Sequence, residues 1–220
     1  MILCAGKGGR LGADMPKCLL RVGGSTLLQR QLQALADCGI DKVWAVTGFQ
    51  ERRIRRACPG LRCVRNPEYA RSNTARSLAI ALRALPAGDV LWLNGDVLVE
   101  TGVLRRLLRC RRSAMAVDRK ACGSEEMKYL RTRSGLIATI SKALRTAHGE
   151  ALGVNIVRER DRIDLLRHLE GCDASDYFEE GIRRAIRAGG TFRAVDVSGR
   201  ICIDIDFKKD LYDARRRSVG

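Results

Sequence analysis

The chain has 220 residues, a hydrophobic fraction of 45% and a formal net charge of +16, enough apolar material for one substantial core and too little length for two comfortable domains. No apolar run approaches the roughly 20 residues that span a bilayer, and the opening MILCAGKGG lacks the basic head and apolar stretch of a secretory signal; a cytoplasmic protein with no membrane partner is expected. The charge invites a polyanion, but 33 of the 41 basic residues are arginines scattered along the chain and aromatics make up 5%, without the interleaving that argues for a specific nucleic-acid partner.

Apolar runs and amphipathic segments alternate from the start. ILCA reads as a strand, TLLQRQLQALADCG as a helix, VWAVTG as a strand, ERRIRRAC as a helix and LRCVRN as a strand. The series continues with a helix from about 73 to 85, the strand DVLWLNGD, the helix GVLRRLLRC and the strand AMAVD. Such alternation builds βαβ units, so the expected fold class is α/β, a Rossmann-like three-layer α/β/α domain with a twisted, mixed and mainly parallel sheet. After Lys120 come shorter strands at MKYLRT, LIATIS and ALGVNIV, with helices at RIDLLRHLE and SDYFEEGIRRAI. The expected organisation is one domain over 1–220, built of two halves, 1–118 and 119–220. Nine scattered cysteines, odd in number and never spaced C-x-x-C, are expected to be mostly small buried hydrophobes rather than a disulfide framework.

Two features carry chemistry. The first strand runs into GKGGRLGADMPK, where Gly6, Gly8, Gly9 and Gly12 allow tight curvature and close approach of backbone N–H groups to an anion such as a triphosphate. The loop lacks the G-K-[ST] of a Walker motif and the G-x-G-x-x-G that opens directly into a helix. The second feature is a set of carboxylates. Asp96 ends a strand, where ligands of α/β proteins gather. Asp204 and Asp206 alternate in ICIDIDFKKDL, so on a strand they share one face and need a cation or solvent.

LCAGKGGRLG followed by PKCLL resembles the signature of the sugar-nucleotide and phosphocholine nucleotidyltransferases, A-A-G-x-G-[ST]-R-[LM] and then P-K, with Cys4 and Gly9 as small departures. The resemblance implies that the backbone of Leu3, Ala5 and Gly6 faces the base, that Arg10 grips the β and γ phosphates, and that Lys17 neutralises the α-phosphate. These two cations are the implied catalytic residues. It also implies a magnesium ion held by Asp96, from N-G-D, and Asp206, from I-D-x-x-x-D-L, with Asp210 capping the last helix. RNPEYARSNTARSL is similar to a stretch of the cytidylyltransferases, in which Asn73 and Ser77 lie on one helical face toward the base or ribose.

On the acceptor side, ISKAL places Lys142 where the family holds the acceptor phosphate, although the usual form is E-K-P. GEALGVN, with Glu150, Gly153 and Asn155, resembles the acceptor-binding strand, its glycine permitting close approach of a ligand. Glu125, Glu126, Tyr129, Tyr177, Glu179 and Glu180 offer the carboxylates and aromatic faces that suit a trimethylammonium group. The implied partners are a nucleoside triphosphate, CTP favoured, and a small phosphorylated acceptor. The expected reaction transfers CMP to a phosphocholine-like alcohol and releases pyrophosphate. Inositol phosphate, an aminoalkylphosphonate, or a sugar 1-phosphate with UTP, dTTP or GTP stand as alternatives, and oligomeric state is left open.

Overall fold

A computed structural model describes residues 1–7 and 14–217. Its central sheet takes β1 (Ile2–Cys4), β4 (Trp44–Thr47), β5 (Arg62–Arg65) and β6 (Val90–Asn94) as a parallel block, with β1 between β4 and β6. The long strand β11 (Gly149–Val157) joins β6 antiparallel, and β8 (Ala114–Asp118) runs antiparallel to β11. A hairpin of β9 (Lys128–Arg131) and β10 (Ile137–Ile140) extends that side, while β12 (Arg193–Asp196) lies parallel to β8. The α/β class and the mixed, mainly parallel sheet are as expected.

Strand periodicity explains the two cores. Ile2 and Cys4 point to one face, with Leu91, Leu93, Ala114 and Ala116, beneath α1 (Leu27–Ala36), α2 (Glu51–Ala57) and α4 (Thr101–Arg109). Leu3 and Ala5 point to the other, with Val90, Trp92, Met115 and Val117, beneath α3 (Thr74–Ala84), α5 (Glu159–Glu170) and α6 (Phe178–Arg187). Trp92 and Phe178 meet edge to face at 5.6 Å across that second layer. A capping box of Thr26 and Gln29 starts α1, which fixes its apolar stripe against the sheet.

Several boundaries differ from the sequence expectation. DVLWLNGD does not end in one strand: β6 stops at Asn94, and after Gly95 and Asp96 the chain re-enters as β7 (Val97–Val99). β7 pairs antiparallel with β13 (Cys202–Asp204) in a small separate sheet, joining Asp204 to Val97. The remaining strands, β2 (Arg21–Val22) and β3 (Ser25–Thr26), form a short hairpin before α1, and α7 (Lys208–Arg217) follows β13. The expected strand through Asp206 therefore ends at Asp204, and Asp204 and Asp206 do not alternate along a ladder. Only Cys4 and Cys18 of the nine cysteines are buried; the other seven are half-buried. The expectation that most would be core residues is corrected.

Candidate active site

A cavity of about 650 Å³ opens along the carboxyl edge of the parallel block, between the β1 and β6 ends on one side and β8, β11 and α6 on the other. The ordering of strands makes this edge a crevice, because the chain passes from β1 to β4 on one flank and from β6 to β8, beyond β11, on the other. Leu3, Cys4 and Gly6 line it at one end, with Lys17 in a single 3-10 turn after Pro16. Gly8, Gly9, Arg10 and Gly12 lie outside the described residues. Ala5 does not line the cavity, and its carbonyl accepts from Phe49 N at 3.0 Å.

The end of the cavity beside Gly6 is organised around one ammonium group. Lys17 Nζ lies 3.1 Å from Asp96 Oδ2 and also donates to Asp206 Oδ1. Burial works against this charge, but the two carboxylates outweigh it and hold the ammonium above its ordinary range. Backbone geometry delivers each partner. Gly95 N donates to Leu3 O at 2.9 Å, and a Cβ on Gly95 would stand 2.7 Å from that oxygen, so the turn presenting Asp96 requires glycine. Ile205 N donates to Asp96 O at 3.0 Å, and Asp210 Oδ2 accepts from Asp206 N and Phe207 N at 3.0 and 2.7 Å, closing the start of α7 as the motif implied.

Two carboxylates from separate strand ends that converge on a cation are a donor set of the kind magnesium uses, hard oxygens supplemented by phosphate and water. No three His, Cys, Asp or Glu groups converge as a protein-only metal cage among the described residues. Asp204 lies beside them with Oδ1 buried and without a hydrogen-bond partner. Burial, then the charges of Asp96, Glu150, Asp206 and Glu179, push its carboxyl well above the usual range.

The opposite end, expected to take the acceptor, is differently furnished. Glu179 is 7% exposed, its Oε2 has no hydrogen-bond partner, and burial pushes its carboxyl up to about 7, with Lys142 pulling the other way. Lys142 Nζ sits 5.2 Å from the centre of the Tyr177 ring and 3.9 Å from Glu125. Glu150, raised by burial and opposed by Lys120, pairs with Lys120 Nζ at 2.6 Å. Lys142, Glu150, Gly153, Tyr177 and Glu179 thus share the cavity with Lys17, Asp96, Asp206 and Asn73.

Some expected residues stand outside the cavity, and others have structural partners of their own. Ser77 is buried and accepts from Asn66 Nδ2 at 3.0 Å, and Asn155 is fully buried within β11; neither lines the cavity. Gly153, on the cavity wall, allows a close approach of the Asn94 side chain, which a Cβ would meet at 2.6 Å. Asn73 caps α3 by accepting from Thr74 N at 2.9 Å. Tyr129 is packed in the core, and Glu180 is paired with Arg183 and Arg184. Sequence reasoning missed Asp118, Lys120 and Arg200, which also line the cavity. Asp118 ends β8 at the same sheet edge as Asp96, so the strand-end signal used for Asp96 was available for it.

The model of a MobA-like NTP transferase domain matches residues 1–163. The chain is 30% identical over 229 aligned residues to the bifunctional IPC transferase and DIPP synthase of Rubrobacter xylanophilus, covering 100% of this chain and 51% of that protein. It is 28% identical to the CMP-5'-(3-aminopropyl)phosphonate synthase of Streptomyces rubellomurinus, covering 94% of this chain and 36% of that protein. The chain thus spans about half the first relative's length, and less of the second's. Among solved structures, the CTP:phosphocholine cytidylyltransferase from Streptococcus pneumoniae superposes with a TM-score of 0.81 at 18% identity, covering 99% of this chain and 97% of that one. The inositol-1-phosphate CTP transferase from T. maritima gives 0.83 at 16% identity, with 98% and 94% covered. At those identities the likeness is one of fold. The family match spans most of the chain, and the carboxyl-edge cavity is built from the matched residues together with the start of α6 and the segment from Arg200 to Asp213; the chain belongs to the MobA-like NTP transferase family of nucleotidyltransferases.

Proposed function

We propose that this chain transfers CMP from CTP to a small phosphorylated alcohol carrying a positively charged group, a phosphocholine-like acceptor, and releases pyrophosphate. The observation that carries the transfer chemistry is the Lys17 ammonium held between Asp96 and Asp206 beside Gly6. An acceptor phosphate oxygen attacks the α-phosphorus of CTP, a new P–O bond forms, and the bond from the α-phosphorus to the bridging oxygen breaks as pyrophosphate leaves. That nucleophile is already ionised at neutral pH, so no general base is required. Lys17 offsets charge building on the α-phosphate, and Arg10 would hold the outer phosphates. Asp96 and Asp206 would hold magnesium, with Asp204 as a neighbour able to contribute; magnesium when bound neutralises phosphate charge and orients the triphosphate for in-line displacement.

The charge of the cavity supports a cationic acceptor. Among the described residues ten carboxylates line it against four cationic side chains, in a chain whose net charge is +16. A bound metal and the acceptor's own cation would offset part of that excess. The name of the Streptomyces relative, which carries an aminopropyl group, favours the same acceptor class. The test is magnesium-dependent pyrophosphate release across CTP, UTP, GTP, ATP and dTTP, each with phosphocholine, an aminoalkylphosphonate, inositol phosphate and several sugar phosphates. Turnover with CTP and an aminated acceptor supports the reading. Turnover with inositol phosphate or a sugar phosphate alone replaces it.

A further inference from the structure

One polar residue sits where the helix pattern calls for an apolar one. In α1 the buried stripe runs Leu27, Leu28, Gln31, Ala34 and Leu35, and Gln31 is 1% exposed. Burying an amide costs free energy unless its hydrogen bonds are replaced. Its Nε2 donates to Asn94 O at 2.8 Å and to Val97 O at 2.7 Å, while its Oε1 is left without a partner. The two carbonyls bracket Gly95 and Asp96, so a single amide closes the turn between β6 and β7 from the helix side. Leu3 O and Ile205 N hold the same turn from β1 and from the segment after β13.

We propose that Gln31 is a positioning residue: its amide clamps the Asn94–Val97 turn so that the Asp96 carboxylate faces Lys17 and the triphosphate site. The inference rests on the reading of Asp96 as a cation ligand. Gln31 touches no reacting atom and acts through Asp96 alone. An apolar side chain of the same shape would fill the space but release the Asn94 and Val97 carbonyls, leaving the turn to the Leu3 O and Ile205 N bonds and the direction of the carboxylate less tightly set.

The test uses Gln31→Met, close to isosteric and without donors, and Gln31→Asn, which keeps an amide too short to reach both carbonyls. Three readouts are needed: Mn²⁺ affinity in the presence of CTP by calorimetry, kcat and KM with magnesium, and thermal unfolding. Both variants are expected to fold, to bind Mn²⁺ about tenfold more weakly, and to lose about tenfold in kcat, with KM for the acceptor unchanged. A double-mutant cycle with Asp96→Asn decides the route of the effect, since residues acting through one another are not additive. In the Asp96→Asn background Gln31→Met is expected to change neither Mn²⁺ affinity nor kcat further. Unchanged Mn²⁺ affinity in both single variants, or a full additional loss in the double variant, overturns the inference. A wild-type chain that shows no magnesium-dependent turnover of CTP fails the proposed function instead, a result that needs no variant.

Discussion

The two ends of the cavity satisfy their charges in opposite ways. At the donor end one ammonium, Lys17, is shared by Asp96 and Asp206, each delivered by a short backbone segment with little freedom, and Asp204 stands beside them with a buried oxygen left open among the described residues. At the acceptor end Glu179 is buried with an open oxygen, and Lys142 rests on the Tyr177 ring rather than on a strong carboxylate partner. Carboxylates held by a shared cation on short backbone segments are arranged for a fixed geometry. A region that keeps an unpaired buried carboxylate bears a cost in stability that a ligand of opposite charge would remove. On the proposed function the donor end would carry the chemistry and the acceptor end the selectivity, and the variants below are chosen to break or sharpen that division.

The largest effect belongs to Lys17. Lys17→Ala removes the cation at the donor end and leaves two facing carboxylates, and it is expected to lower kcat by roughly two to three orders of magnitude, about 3 kcal/mol of transition-state stabilisation. The acceptor KM should stay within a few-fold of wild type. Steady-state rates with varied acceptor check both parts, and near-normal turnover would dissolve the division altogether. Asp206→Asn comes next. It should raise the magnesium concentration for half-maximal rate by at least about tenfold, measured at saturating CTP; an unchanged requirement would move the ligand to Asp204, whose free oxygen is adjacent.

These donor-end residues are legible in the sequence because they sit on motifs and at strand ends, where local geometry fixes what a side chain can reach. Lys17 follows Pro16 at the end of the glycine segment, and Asp96 follows the strand that pairs with β1. The rest depends on long-range packing. Nothing in ICIDIDFKKDL says that the strand ends at Asp204 because its partner β7 is only three residues long. Nothing in GEALGVN says that Gly153 faces the Asn94 side chain. Gln31 is visible as a polar break in an apolar stripe, but its partners lie more than 60 residues away. Ser77 and Asn155 satisfy a motif, and the same packing draws both into the core.

Glu179 tests the acceptor end through pH. Its folded-state carboxyl is raised from an ordinary 4.5 to about 7, chiefly by burial, with Lys142 opposing the rise; Asp204 is the other charged group in electrostatic contact with it. A raised carboxyl favours the protonated form in the folded state. Stability should therefore be lost as pH rises from about 4.5 through 7 and level off above that. Glu179→Gln removes this dependence, so it is expected to match wild type at pH 4.5 and to exceed it by up to about 3 kcal/mol at pH 8 in denaturant unfolding. The same variant should raise the KM for an aminated acceptor by about tenfold and leave KM for CTP alone. A variant no more stable at pH 8, with both KM values unchanged, would remove Glu179 from the selective end.

Asn73 gives the smallest effect and bears on how the two ends are joined. Its Oδ1 caps α3 at Thr74 N, its Nδ2 donates to Ser175 O at 3.2 Å, and its own N–H donates to Ala174 O at 2.7 Å. Thr74 Oγ1 accepts from Phe178 N at 3.0 Å one residue further along. The start of α3 is thus stitched to the loop that leads into Tyr177 and Glu179, so the side chain is occupied by the acceptor wall as well as by its helix. Asn73→Ala should cost about 1 kcal/mol for the lost cap, a fall of roughly 2–4 °C in Tm for a chain of this length. Its kinetic effect should fall on the acceptor, with KM rising about two- to threefold while KM for CTP holds. If KM for CTP rises instead, Asn73 reads the nucleotide as the motif implied, and α3 belongs to the donor end rather than to the seam between the two.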